Sequence, residues 1–178
     1  MSIFTNPISA ATDEAGAYIA AVLRLLGDKD PLMVLEGLVA ELEEHVKGLT
    51  IAELRHAEAP GKWSIIEIIQ HLADSELVWA YRLRMVLAEK RPQITGYDQD
   101  GWASQLRYRE VKLRDAMEQL QVLRSTNLRL IGSLSASELQ RAGVHSERGE
   151  ETVEHMIRLY AGHDLVHLKQ ISRIRKSL

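Results

Sequence analysis

No cysteine occurs in the chain, which excludes disulfide scaffolds, thiolate zinc sites, iron–sulfur clusters and cysteine nucleophiles. Glycine (eleven) and proline (four) are sparse and aromatic side chains make up only 5%, a composition that argues against a turn-rich β-sandwich. Every long apolar run is broken by Arg, Glu or His well short of the ~20 residues that a membrane span needs. The opening MSIFTNPISA has neither the basic region nor the apolar core of a signal peptide, so a cytoplasmic location is expected. No sign of charge dominates either, and a net charge of −3 gives no global attraction for nucleic acid or an anionic membrane. What is present is a chain of 178 residues, the size of one domain, with 46% hydrophobic and 26% charged side chains and seven histidines. Any metal chemistry must therefore rest on imidazole and carboxylate.

Helical periodicity with clear start and stop signals runs through most of the chain. Thr12, followed by Asp13 and Glu14, marks the start of a helix over 11–26 that the GDKDP segment stops. Asp30 caps and Pro31 opens a second helix reaching Lys47, with Leu32, Leu35, Leu38, Leu42 and Val46 as its apolar stripe. Ser64 and Glu67 have the spacing of a capping box at the head of a third helix, predicted over 64–90. After a loop at RPQITGYDQDG, apolar residues from Leu106 to Leu134 predict one long helix over 102–134. A short turn at 137–141, a loop at AGVHSERGEE and a last helix over 151–175 complete the chain. Stripes of this kind bury each other best in a bundle. The fold class is all-α, an up-down four-helix bundle with an extra N-terminal helix: residues 1–30 form a helical extension packed on the bundle and residues 31–178 the bundle domain.

Helical phase sorts the histidines. On the last helix, His163 and His167 are one turn apart and fall within or beside the inward stripe of Val153, Met156, Ile157, Tyr160, Leu168 and Ile171, whereas His155 points nearly opposite. On the third helix His71 sits at the edge of the Ile65, Ile68, Leu72, Trp79 stripe. An H-x-x-x-H pair with a third histidine from another helix has the arithmetic of an open three-ligand metal site, and hydrogen-bonded boundary residues have the same spacing. Glu76 lies mid-stripe and Asp164 beside the pair. Each either pairs with an arginine of a neighbouring helix or, like Asp74, stands behind a ligand imidazole. Asp164 or Glu67 is the available fourth ligand. Trp63, Trp79 and Trp102 read as packing, His45 as a helix-end residue, His56 as a loop residue, and His145 lies in the HSERG loop.

The strings GKWSIIEIIQHLADSE, YDQDGWA, HSERGEETVEHM and YAGHDLVHLKQI, in that order, resemble the DinB/YfiT-like superfamily of bacterial four-helix-bundle metalloproteins from Pro31 to Arg175. The resemblance implies metal ligation at His71, His163 and His167, the three that phase had brought together. It implies a divalent ion, nickel or zinc, and an enzyme that transfers an exogenous low-molecular-weight thiol to an electrophile, with metal-dependent hydrolysis as the alternative. Val166 and Gly162 depart from the YfiT-type pattern, which has a histidine and an aromatic residue there. Relatives often form homodimers, and a homodimer acting on a small-molecule substrate is the expectation.

A three-imidazole ion lowers the pKa of a coordinated thiol or water, with Glu76 or Asp74 as candidate proton carriers. With no cysteine in the chain, any thiol arrives with the substrate. The competing readings are a non-catalytic metal-binding or stress-response protein, and nucleic-acid binding through Arg107, Arg109, Lys112, Arg114, Arg124 and Arg129. Those cations alternate with Glu110, Asp115 and Glu118, the pattern of a solvated face or subunit contact, so no nucleic-acid partner is expected.

Overall fold

A computed structural model describes residues 12–178, with side chains from residue 15 onward. Helix α1 (Thr12–Leu26) is followed by α2 (Pro31–Val46), the single turn α3 (Ile51–Leu54) and the long α4 (Ile65–Ala88). The capping side chains expected at Thr12, Asp13 and Glu14 lie outside the described side chains. Asp30 accepts a hydrogen bond from the Leu32 N–H at 2.9 Å, and Pro31 sits where a helix has no use for its missing N–H. At the head of α4, the Ser64 N–H and hydroxyl both donate to Glu67, at 2.9 and 2.5 Å.

The expected helix over 102–134 is two helices. Helix α5 (Gln99–Gln105) ends at Leu106, Arg107 turns into the left-handed region at φ 56°, and a 3-10 turn (Tyr108–Glu110) precedes α6 (Leu113–Ile131). The break lets Tyr108 turn inward, where its hydroxyl donates to Asp74 Oδ2 at 2.6 Å, while Leu106 is left exposed. A hydrogen bond between elements leaves no trace in apolar spacing. The turn α7 (Ala136–Leu139) follows under a Ser135–Glu138 capping box.

The expected AGVHSERGEE loop is instead a hairpin, β2 (Ala142–His145) and β3 (Gly149–Thr152), turning at Gly149 with φ 79°. Strand β1 (Gln93–Ile94) pairs with β2 in parallel, Gln93 opposite Val144 and Ile94 opposite His145. Alternation over four residues is too short a signal to stand out from a loop. Helix α8 (Val153–Ser177) then runs the length of the molecule.

The mostly helical chain is a bundle of α2, α4, α6 and α8, and α1 packs along α8. Its interior holds two apolar clusters. One gathers Leu26, Leu35, Trp79, Leu83, Met156 and Ile157, the other Leu38, Leu42, Ile68, Leu72, Leu120 and Ile171. Along α4 and α8 the switch from one cluster to the other falls at residues 74–78 and 162–170, where Asp74, Glu76, Asp164, His167 and Gln170 are buried, with His71 buried just ahead of it on α4. A polar layer thus crosses the middle of the bundle. No described helix is long and apolar enough to cross a membrane.

Candidate metal centre

Three histidines meet in that layer. His71 Nε2 lies 3.2 Å from His163 Nε2, and His167 Nε2 lies 3.1 Å from the same atom. Two nitrogens each about 2.0–2.1 Å from one zinc ion stand roughly 2.9–3.4 Å apart over right-angle to tetrahedral geometry, so these separations fit a shared ion. Burial acts first on all three rings. It pushes His167 down to about 4 against the opposing Gln170 hydrogen bond, and, with the other imidazoles nearby, holds His71 and His163 well below the usual histidine range. Rings kept neutral in this way have a lone pair to offer a cation.

Polar neighbours orient His167 and flank His71, while the buried His163 Nδ1 has no hydrogen-bond partner among the described residues. The Gln170 side-chain oxygen lies 3.1 Å from His167 Nδ1, which makes Nδ1 the protonated nitrogen and leaves Nε2 facing the other two histidines. Ser75 Oγ is 3.3 Å from His71 Nε2 and 2.9 Å from the Tyr97 hydroxyl. The Trp63 ring lies 4.7 Å from His71 and 6.4 Å from His167, and so covers the cluster rather than merely filling core. Trp79 stacks on Tyr160 at 4.4 Å, and Tyr160 lies 5.7 Å from the His163 ring. Trp102 packs on Tyr97.

Of the two roles open to Glu76 and Asp164, the structure shows the pairing with an arginine. Arg124 Nε donates to Glu76 at 2.8 Å and its Nη1 to Asp164 at 2.7 Å, while the Asn127 amide donates to the other Glu76 oxygen at 2.7 Å. Burial opposes the charge of Arg124, yet Asp164 and Glu76 together hold its pKa above the ordinary guanidinium range. An unpaired carboxylate in this layer is costly, and the arginine arrives to match it. Arg124 is therefore no part of a solvated basic face: with Leu120, Asn127 and Ile131 it lines the inner side of α6, and it is only 2% exposed. Asp74 accepts from Tyr108 and Gln119, and Glu67 is engaged in its capping box, so neither joins the cluster. Among the described residues, the group placed to hold an ion is His71, His163 and His167 alone.

Gln170, Ser75 and Tyr97 escape a search for histidine spacing. Gln170 was legible as the residue three places after His167, on the same helical face, but Tyr97 reaches the site from the loop after β1. His145 lies buried in β2, its Nδ1 accepting from the Glu147 N–H at 3.2 Å. His45 and His56 stay at the end of α2 and in the loop after α3.

A cavity of about 100 Å³ opens beside the cluster, lined by His163, Ser75 and Tyr97 among others. A single water needs ~10–15 Å³, so the space holds several waters or a small chemical group.

The sequence profile of the DinB superfamily matches residues 35–171. Proteins of Bacillus cereus (strain 03BB102) and Bacillus thuringiensis subsp. konkukian (strain 97-27), both bearing the name "Putative metal-dependent hydrolase", are each 29% identical to the chain over 144 residues, 81% of this chain and 83% of theirs. Among solved structures, YfiT from Bacillus subtilis, described as a probable metal-dependent hydrolase with an unusual four-helix bundle topology, aligns with a TM-score of 0.79 at 21% identity. The alignment covers 99% of this chain and 98% of that one, and it shows a shared fold.

Proposed function

The chain belongs to the DinB superfamily, and from that footing we propose that it is a hydrolase of small molecules, dependent on a divalent ion held by His71, His163 and His167. The carrying observation is the convergence of three neutral imidazole nitrogens within 3.2 Å neighbour to neighbour, with no carboxylate joining them among the described residues. A structural ion is closed in by four protein ligands, whereas three leave a position for substrate. Bound there, a zinc or nickel ion supplies Lewis acidity toward an oxygen or sulfur donor.

The remaining steps belong to the protein. Gln170 holds His167 in the ligating tautomer, and Trp63 shields one side of the cluster from water. Glu76 and Asp164 are committed to Arg124, which removes them as proton carriers. The hydroxyls next to the cluster are Ser75 and Tyr97, and they are the groups placed to hand a proton to a leaving group. Transfer of a thiol to an electrophile uses the same three imidazoles and is the second reading; with no cysteine in the chain, that thiol would come with the substrate.

Metal analysis of the purified protein is expected to find a stoichiometric divalent ion. His71→Ala and His163→Ala are each expected to abolish it while the helical circular dichroism persists. Ester and amide hydrolysis should be lost to a chelator and restored by added metal, and a thiol-transfer assay run in parallel separates the two activities. Metal content unchanged in either variant overturns the reading.

A further inference from the structure

The cavity beside the histidines is lined by two guanidiniums, Arg82 and Arg148, and one carboxylate, Glu151. Arg148 is already matched: its Nε and Nη2 donate to the two oxygens of the buried Glu151 at 2.5 and 3.0 Å. Arg82 is not. Among the described residues it makes no ion pair within 4 Å, and its one hydrogen bond goes from Nη2 to the Thr95 carbonyl oxygen. The rest of a five-donor fork is left for something else. The group is half-buried and sits over the Tyr97 ring, its Cζ 5.9 Å from the ring centre, so its direction is set by the fold. Burial and the like charge of Arg148 lower its pKa, with Glu151 and Glu147 opposing from farther away. His145 is likewise pushed down by both arginines, after burial. At this end of the cavity Arg82 therefore presents a guanidinium with no carboxylate in direct contact, the nearby Glu151 being held by Arg148.

Contacts connect that charge to the cluster. Arg82 lies over Tyr97, the Tyr97 hydroxyl is 2.9 Å from Ser75 Oγ, and Ser75 Oγ is 3.3 Å from His71 Nε2. An anion at the guanidinium and a reacting group at the histidines would be one tyrosine side chain apart, within the span of a single small molecule.

We propose that Arg82 is the anion-binding residue of this cavity and that the substrate carries a carboxylate or phosphate group at the end remote from the bond cleaved at the histidines. A guanidinium fork bonds either oxyanion through paired N–H donors. The inference builds on the metal-dependent reading but does not share its fate.

Succinate, methyl phosphate and uncharged succinamide are titrated calorimetrically into the metal-loaded protein, with metal content measured on the same samples. The anions are expected to bind and succinamide not to, the tighter anion identifying the favoured oxyanion. Arg82→Gln is expected to weaken anion binding at least tenfold with the metal retained. Arg82→Lys, which keeps the charge and guards against a folding artefact, is expected to recover part of the affinity. Equal affinity for succinate and succinamide, or anion binding unchanged in Arg82→Gln, overturns the proposal while leaving the metal reading intact. Arg82-dependent anion binding in protein that takes up no metal retains the anion site and sinks the hydrolase reading.

Discussion

Gln170 carries more of the site than its type suggests. Its oxygen at His167 Nδ1 decides which ring nitrogen is free, and removing such a partner typically costs about 10–100-fold in metal affinity. Gln170→Ala is therefore expected to weaken metal binding by that order, read by competition with a chromogenic chelator, while Gln170→Glu keeps an acceptor and loses less. His145 makes a different prediction. Burial, reinforced by Arg148, lowers it to about 4 in the folded chain, against 6.5 when unfolded. The unfolded chain thus takes up the proton first as pH falls, and the stability from keeping this ring neutral is full above about pH 6.5 and drains away down to about pH 4. The urea midpoint is expected to drop less between pH 7 and pH 5 in His145→Gln than in the parent protein. Identical drops would remove His145 from the acid response. The three-histidine cluster was legible because i to i+4 spacing on one helix and an edge position on another are local facts. The partners of Glu76 and Asp164 were open in the sequence, since their arginine lies 40 residues or more away and only packing brings it inward.

Helix α6 is pinned to α4 and α8 through Arg124, whose Nη1 also donates to the Leu35 carbonyl of α2. Arg124→Met preserves volume but strands two buried carboxylates, and breaking such a pair costs about 3–5 kcal/mol, which urea denaturation will measure. At Gly162 the question is distance. A Cβ there would lie 2.5 Å from Val22 Cγ1 and 2.6 Å from the Val22 carbonyl oxygen, and the backbone oxygen cannot rotate away. Gly162→Ala is expected to push α1 off α8 at a cost of about 1–3 kcal/mol. Val22→Ala in the same chain should relieve little of it, and full rescue would show that the side chain alone was in the way. The main helices were predictable within a few residues because caps and stripes agreed with each other. The break before α6 and the hairpin were not, because a buried tyrosine hydroxyl and a two-residue parallel pairing are long-range events.

Across the whole molecule, the polar layer is flanked by apolar clusters on both sides, so the bundle is expected to fold without an ion. A metal at 100 times its dissociation constant adds ~2.7 kcal/mol, which for a chain of this length is worth roughly 5–10 °C in Tm. Chelation is expected to lower Tm by that amount while the transition stays cooperative. Collapse of the helical signal on chelation would instead make the ion a structural staple.

The small sheet gives the architecture a division of labour. The three histidines stand within α4 and α8, among largely buried neighbours. Of the polar cavity wall, Ser75 and Arg82 share α4 with His71, whereas Tyr97, Arg148 and Glu151 come from the segment after β1 and from the hairpin, joined to each other by main-chain pairing. Substitutions or insertions in those two segments can reshape what the cavity accepts while the histidines keep their places. On the proposed reading, a chain of this fold can alter the substrates it takes through those two segments without moving its histidines.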